Sequence, residues 1–131
     1  MPEVEYAKQT QRFVQLLLDL GVTNPWFYRM MIGRLYYAAH HLARRLLVEA
    51  GLQPDQWRGA VHRQTIDGLQ THYVTTGRLT TSALDGLDEL RDLRNRVDYR
   101  LDCAVRLRNV NCALTLFHRF ARETWAILGV S

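Results

Sequence analysis

Lysine is nearly missing from this chain: Lys8 stands alone among seventeen basic residues, and the other sixteen are arginines. Cysteine is scarce as well. Cys103 and Cys112 are too few for a disulfide framework, and nine residues apart on one helix they would lie on opposite faces, unable to bridge within it. No apolar run approaches the roughly 20 residues that cross a bilayer, so no membrane partner is expected. The opening MPEVEYAKQTQRF places acidic residues where an export signal needs a basic start and an apolar core. These absences together lead to an expected cytoplasmic location. Familiar enzyme signatures are lacking too: there is no phosphate-binding glycine loop, no G-x-S-x-G, no H-E-x-x-H and no cysteine pair at metal spacing. The adjacent His40 and His41 cannot chelate one metal as i, i+4 histidines would. The chain is therefore expected to use no cofactor and to hold no metal.

What is present has the composition of an ordinary globular domain, 47% hydrophobic and 23% charged. Its 131 residues suit one domain with a real core. The net charge is +4, and its arginine make-up has two readings. A guanidinium forks onto phosphate oxygens and stacks on bases; a genome rich in G and C also favours arginine codons. Charge alone points to nucleic acid without establishing it.

No stretch alternates for long enough to argue a strand, and every periodic segment has the helical period. Breakers divide the chain into five. A first helix is predicted from about Val4 to Leu20, stopped by Gly21; Asn24-Pro25 then supplies an N-cap and a first-turn proline for a second, ending near Gly51. After a loop at LQPDQWRG, a third covers roughly Ala60 to Thr76 and closes at Gly77. Thr81 or Ser82 caps a fourth over about Ala83–Leu101. A fifth takes Ala104–Leu128, with a stripe of Val110, Leu114, Phe117, Ala121, Trp125 and Leu128. Gly33, Gly68 and Gly86 fall inside helices, where each costs about 1 kcal/mol against alanine; close helix approach is the expected reason, and plain tolerance of a glycine is the alternative. The pattern is that of an all-α, single-domain antiparallel bundle of about five helices.

Two faces carry polar groups. On the second helix Arg34, Tyr37, His41 and Arg45 form one stripe, basic residues interleaved with rings, which suits RNA, whose bases stack and phosphates pair. A solvated face with a tyrosine resting on it reads equally well. Tyr36 and His40 lie to the other side, as core or interface. On the fourth helix, in LRDLRNRVDYRLD, Leu87, Leu90, Val97 and Leu101 share an apolar stripe, and Arg94 points out through it. A lone guanidinium is costly to desolvate. Arg94 is thus paired with Asp98 one turn on, set in a polar cleft, or placed at an interface. Arg91, Asn95 and Asp102 run along the adjoining edge, with Tyr99 one turn beyond Asn95.

In this order and spacing, GRLYYAAHHLARRLL (33–47), VHRQTIDGLQTHYVTTGRL (61–79) and ELRDLRNRVDYRLD (89–102) resemble the HEPN superfamily of prokaryotic helical domains. The likeness covers about residues 26–102, with the fifth helix fitting by position only. It implies a helical bundle, homodimerisation and RNA-directed action in toxin–antitoxin or defence systems, often beside a minimal nucleotidyltransferase. The family's ribonucleases carry R-N-x-x-x-H across a dimer cleft. Arg94 and Asn95 match its first two positions, and Tyr99 stands where the histidine belongs. A phenol of pKa about 10 is locked in one state at pH 7, whereas an imidazole near 6.5 shuttles protons. The segment fits better the R-x-x-x-D-Y variant of uncharacterised members, here Arg94, Asp98 and Tyr99. The position of the tyrosine that some partners adenylylate is Leu101, so that regulation does not carry over.

The resemblance therefore implies an intersubunit cleft binding RNA or a nucleotide through Arg34, Tyr37, His41, Arg45, Arg91 and Asp98, with a degenerate ribonuclease motif. The alternative is an active metal-independent endoribonuclease toxin. In that case Arg94 stabilises the phosphorane, Asn95 orients the phosphate, and Tyr99 or a borrowed His62 or His41 moves the proton. A purely structural subunit of a larger assembly is a weaker alternative.

Overall fold

The computed structural model describes residues 1–130, and its regular structure is helical throughout. Five α-helices form it: α1 (Pro2–Asp19), α2 (Pro25–Glu49), α3 (Val61–Leu69), α4 (Thr81–Tyr99) and α5 (Leu107–Leu128). None of them is long and apolar enough to cross a membrane. The expected all-α bundle is what is seen, and the breakers act where the sequence places them. Asn24 Oδ1 accepts from the Trp26 amide at 2.8 Å, ahead of Pro25 in the first turn of α2. Gly21, Gly51 and Gly77 each take the left-handed backbone that ends a helical segment.

α2 is the central element. Met31, Ile32, Leu35, Ala38, Ala39, Leu42, Ala43, Leu46 and Leu47 cover most of its circumference and are all buried, because α1, α4 and α5 pack against it from different sides. Neighbours run antiparallel. Tyr6 of α1 meets His41 of α2, and Phe13 and Met30 line one groove near the opposite ends. The carboxylate of Glu123 on α5 accepts from the amide and hydroxyl of Thr80, both at 2.8 Å, at the start of α4. The core sits between α2, α4 and α5, filled by Phe117, Phe120, Leu35, Leu87 and Leu90.

Four boundaries differ from expectation. Thr80, one or two residues earlier than expected, caps α4, its Oγ1 accepting from the Ala83 amide at 3.1 Å. α4 stops at Tyr99, so Leu101 is not part of its apolar stripe and is 61% exposed. The cause lies 70 residues upstream: the buried Arg29 guanidinium donates to the carbonyls of Val97 (2.7 Å), Arg100 (3.3 Å), Leu101 (3.2 Å) and Cys103. Four carbonyls at and just beyond the helix end share one side chain, that of Arg100 also accepting from the Cys103 amide at 3.1 Å, and the chain bends away. α5 begins at Leu107, so Cys103 and Cys112 do not share a helix; both are free thiols. Its buried face centres on Val110, Ala113, Phe117, Phe120 and Thr124, with Leu114, Trp125 and Leu128 half-buried at the margin. α5 faces two helices, so its apolar band is wider than one stripe.

The third helix is also shorter than predicted. After Leu69 the chain widens into a π-turn over Gln70–Val74, and Tyr73 turns inward so that its hydroxyl donates to the Leu46 carbonyl. Of the three mid-helix glycines, only Gly68 sits in close approach: a Cβ there would stand 2.7 Å from Leu47 Cδ2, and that side chain would have to shift. At Gly33 and Gly86 the nearest atoms would be 3.7 Å away, ordinary contact, so close approach does not explain them.

Candidate functional site

α2, α3 and α4 diverge at one side of the bundle and leave a cleft of about 780 Å³. α2 contributes Tyr36, Tyr37 and His40, α3 contributes His62, Arg63, Ile66 and Asp67, and α4 contributes Asp88, Arg91 and Arg94. The α4 residues recur at i, i+3 and i+6, which keeps them on one side of the helix. Arg91 and Arg94 also line a second groove on the outer face of α4, with Asp92, Asn95, Arg96, Tyr99 and Arg100. Cleft and groove therefore share a cationic edge.

Arg94 is the most elaborately held of these groups. Its Nη2 donates to the Tyr37 hydroxyl and its Nη1 to Asn95 Oδ1 at 3.0 Å. Nε stands 3.0 Å from Asp98 Oδ2, an ion pair, but its proton is not aligned on any acceptor and is buried. The guanidinium carbon lies 5.0 Å from the Tyr37 ring centre and 5.6 Å from those of Tyr36 and Tyr99, within cation–π range. Burial opposes the charge on Arg94, but Tyr37, Asp98 and Tyr99 outweigh it and raise the pKa above its ordinary value. The residue keeps its charge and its aim.

The other end of the cleft is built around His62. Its Nε2 lies 2.7 Å from Asp88 Oδ1 and its Nδ1 3.5 Å from the Tyr36 hydroxyl. A carboxylate on one ring nitrogen fixes the ring and leaves the other nitrogen for exchange with a hydroxyl. Burial pushes the Tyr36 phenol up, with Arg91 and Arg94 opposing. His40 is held down to about 4 by burial, with His41, Arg44, His62 and Arg94 adding to the effect, and so is neutral at physiological pH. Charged groups on the wall are then three arginines (63, 91 and 94) and two aspartates (67 and 88).

The expected site residues divide. Arg94, Arg91, Tyr37 and His62 come together in the cleft, Asn95 and Tyr99 adjoin it in the outer groove, and Asp98 backs Arg94. The α2 stripe does not enter as a unit. Arg34 lines an apolar groove with Phe13, Leu17, Phe27 and Met30, His41 lies edge-on to Tyr6, and Arg45 pairs with Glu49. Of Tyr36 and His40, expected as core or interface, Tyr36 is buried in the core as expected and its edge lines the cleft, while His40 is half-buried and faces the cleft beside Tyr37. The Tyr36–His40 spacing, i, i+4 on the face next to Tyr37, was the available signal. Asp88 was missed because its partner His62 is 26 residues away. Among the described residues no group of three or more His, Cys, Asp or Glu is placed to hold a metal ion.

Chemically, the cleft can take a phosphate at Arg91 and Arg94, stack a planar group on exposed tyrosine faces, and accept a proton at His62. No family model, curated protein or solved structure matches the chain.

Proposed function

We propose that this chain is a HEPN-like, RNA-directed component of a prokaryotic toxin–antitoxin or defence system. On this reading it is a cytoplasmic homodimer that holds RNA or a nucleotide in the α2–α3–α4 cleft. The carrying observation is Arg94, a charged guanidinium ringed by three tyrosines at the junction of a cleft and an arginine-lined groove. Phosphate pairing next to stacking faces is how single-stranded RNA is gripped. Binding of a short labelled RNA is expected to fall steeply between about 50 and about 200 mM salt, through counterion release. Binding that ignores salt points instead to a protein partner, such as a nucleotidyltransferase. Light scattering is expected to give twice the 15.3 kDa of one chain, with α4 in the interface.

A second reading, endoribonuclease, is favoured by one specific observation: His62, oriented by Asp88, shares the cleft with Arg94. A ribose 2′-hydroxyl would attack the adjacent phosphorus and pass its proton to His62. The P–O5′ bond would break, O5′ taking a proton from Tyr99 or solvent, to leave a 2′,3′-cyclic phosphate. Cleavage by chelator-treated protein, reduced about 10²-fold or more in His62→Ala, would favour this reading over binding alone.

A further inference from the structure

We propose that the α3 wall of the cleft selects guanine in the bound strand, through the carboxylate of Asp67. The inference rests on the RNA-binding reading and adds the base. The cleft is chemically polarised. Its α4 wall presents Arg91 and Arg94 beside an Asp88 taken up by His62, where phosphates are attracted, and on its α3 wall Arg63 is offset by Asp67, so phosphates are attracted less there. A strand entering the cleft therefore turns its backbone to α4 and a base edge to α3. Asp88, the other carboxylate on the wall, is occupied by His62. Asp67 is exposed and has no ion pair or side-chain hydrogen bond among the described residues. Ile66, next to it on the wall, offers an apolar contact for a base face.

An ionised carboxylate only accepts hydrogen bonds, and it can accept two in parallel. Guanine alone among the four RNA bases sets two adjacent donors, N1–H and the 2-amino group, on its pairing edge. Adenine and cytosine each place an acceptor beside their amino group, which the carboxylate repels. Uracil has a single N–H flanked by two carbonyls. The same carboxylate thus attracts one base and opposes three, which is how specificity arises from repulsion as well as attraction.

The test is fluorescence anisotropy with a short oligoadenylate and the same oligomer carrying a central guanosine or a central inosine. Inosine lacks only the 2-amino group. Affinity is expected to rank guanosine above inosine above adenosine, with an overall preference of roughly tenfold to a hundredfold. Asp67→Asn offers one donor and one acceptor, the complement of adenine. It is expected to erase the guanosine advantage and to raise the oligoadenylate affinity, with the urea midpoint unchanged. Equal affinity for the three oligomers overturns the proposal, as does a guanosine advantage that survives in Asp67→Asn. If none of the oligomers binds, or if Arg94→Ala leaves their binding unchanged, the cleft reading itself falls and the proposal with it.

Discussion

Arg29 and Arg94 approach the same end of α4 and are used in opposite ways. Arg29 is buried and donates to four main-chain carbonyls, with the Trp26 ring 5.3 Å away. Its partners are peptide carbonyls, of which only that of Arg100 has a second donor, the Cys103 amide at 3.1 Å. Arg94 is held by a phenol, an amide and a carboxylate, all on side chains that open onto a cleft. Those partners can be exchanged for a ligand's oxygens. One arginine terminates a helix and the other waits at a mouth, so removing each should damage a different property.

The largest effect expected is from Arg29→Met, which keeps the bulk and takes the donor from the carbonyls of Val97, Leu101 and Cys103, while that of Arg100 keeps the Cys103 amide. It should lower unfolding free energy by about 3 kcal/mol or more, read from urea denaturation. A loss below about 1 kcal/mol would mean that water caps the helix equally well and would collapse the contrast. Arg94→Ala should do the reverse. RNA affinity is expected to fall roughly tenfold to a hundredfold, with the salt slope reduced by about one. Its cost in stability should stay near 1–2 kcal/mol, from one ion pair and the ring contacts.

A smaller effect concerns pH and the neutral wall beside Arg94. His40 stays unprotonated in the folded chain down to about 4, whereas an unfolded histidine takes its proton near 6.5. Between those values the unfolded chain binds the proton and the folded one does not. Stability should therefore decline as pH drops from about 6.5 towards about 4, and this contribution should be flat above that window. Urea midpoints at several pH values, compared with those of His40→Gln, check it: the variant should show a shallower decline. Smallest of all is Tyr99→Phe. The ring that faces Arg94 remains and only a hydroxyl on a 72% exposed residue is lost, so RNA affinity should change by about 1 kcal/mol or less. A larger loss would give the hydroxyl a role that binding alone does not require.

The helices were legible in the chain because their punctuation is local. Pro25 after Asn24, and the glycines at 21, 51 and 77, act within a turn of where they stand. The end of α4 was not, because Arg29 imposes it from 68 to 74 residues away. Periodicity carries no trace of such a partner. The same holds for the site. Arg94 was visible as a charge out of place among leucines, and Tyr37 as a ring on a basic face. Asp88 and Asp67 belong to no motif or stripe in the sequence and join the site only because α3 folds against α4.

The π-turn at Gln70–Val74 bears on the chain's tolerance of changes in length. A helix that closes i→i+5 for one turn accommodates a residue that an α-helix would have no room for. Upstream of it, His62, Arg63 and Asp67 keep their register on the cleft; downstream, Tyr73 keeps its bond to Leu46. Deleting one residue between 70 and 74 would restore α-helical closure with both flanks in register, whereas inserting one more would turn everything after it by about 100° relative to the cleft wall. Tyr73 would then lose its carbonyl while residues 61–67 stayed where they are. The turn is a splice between two registers, one fixed by the site and the other by the core.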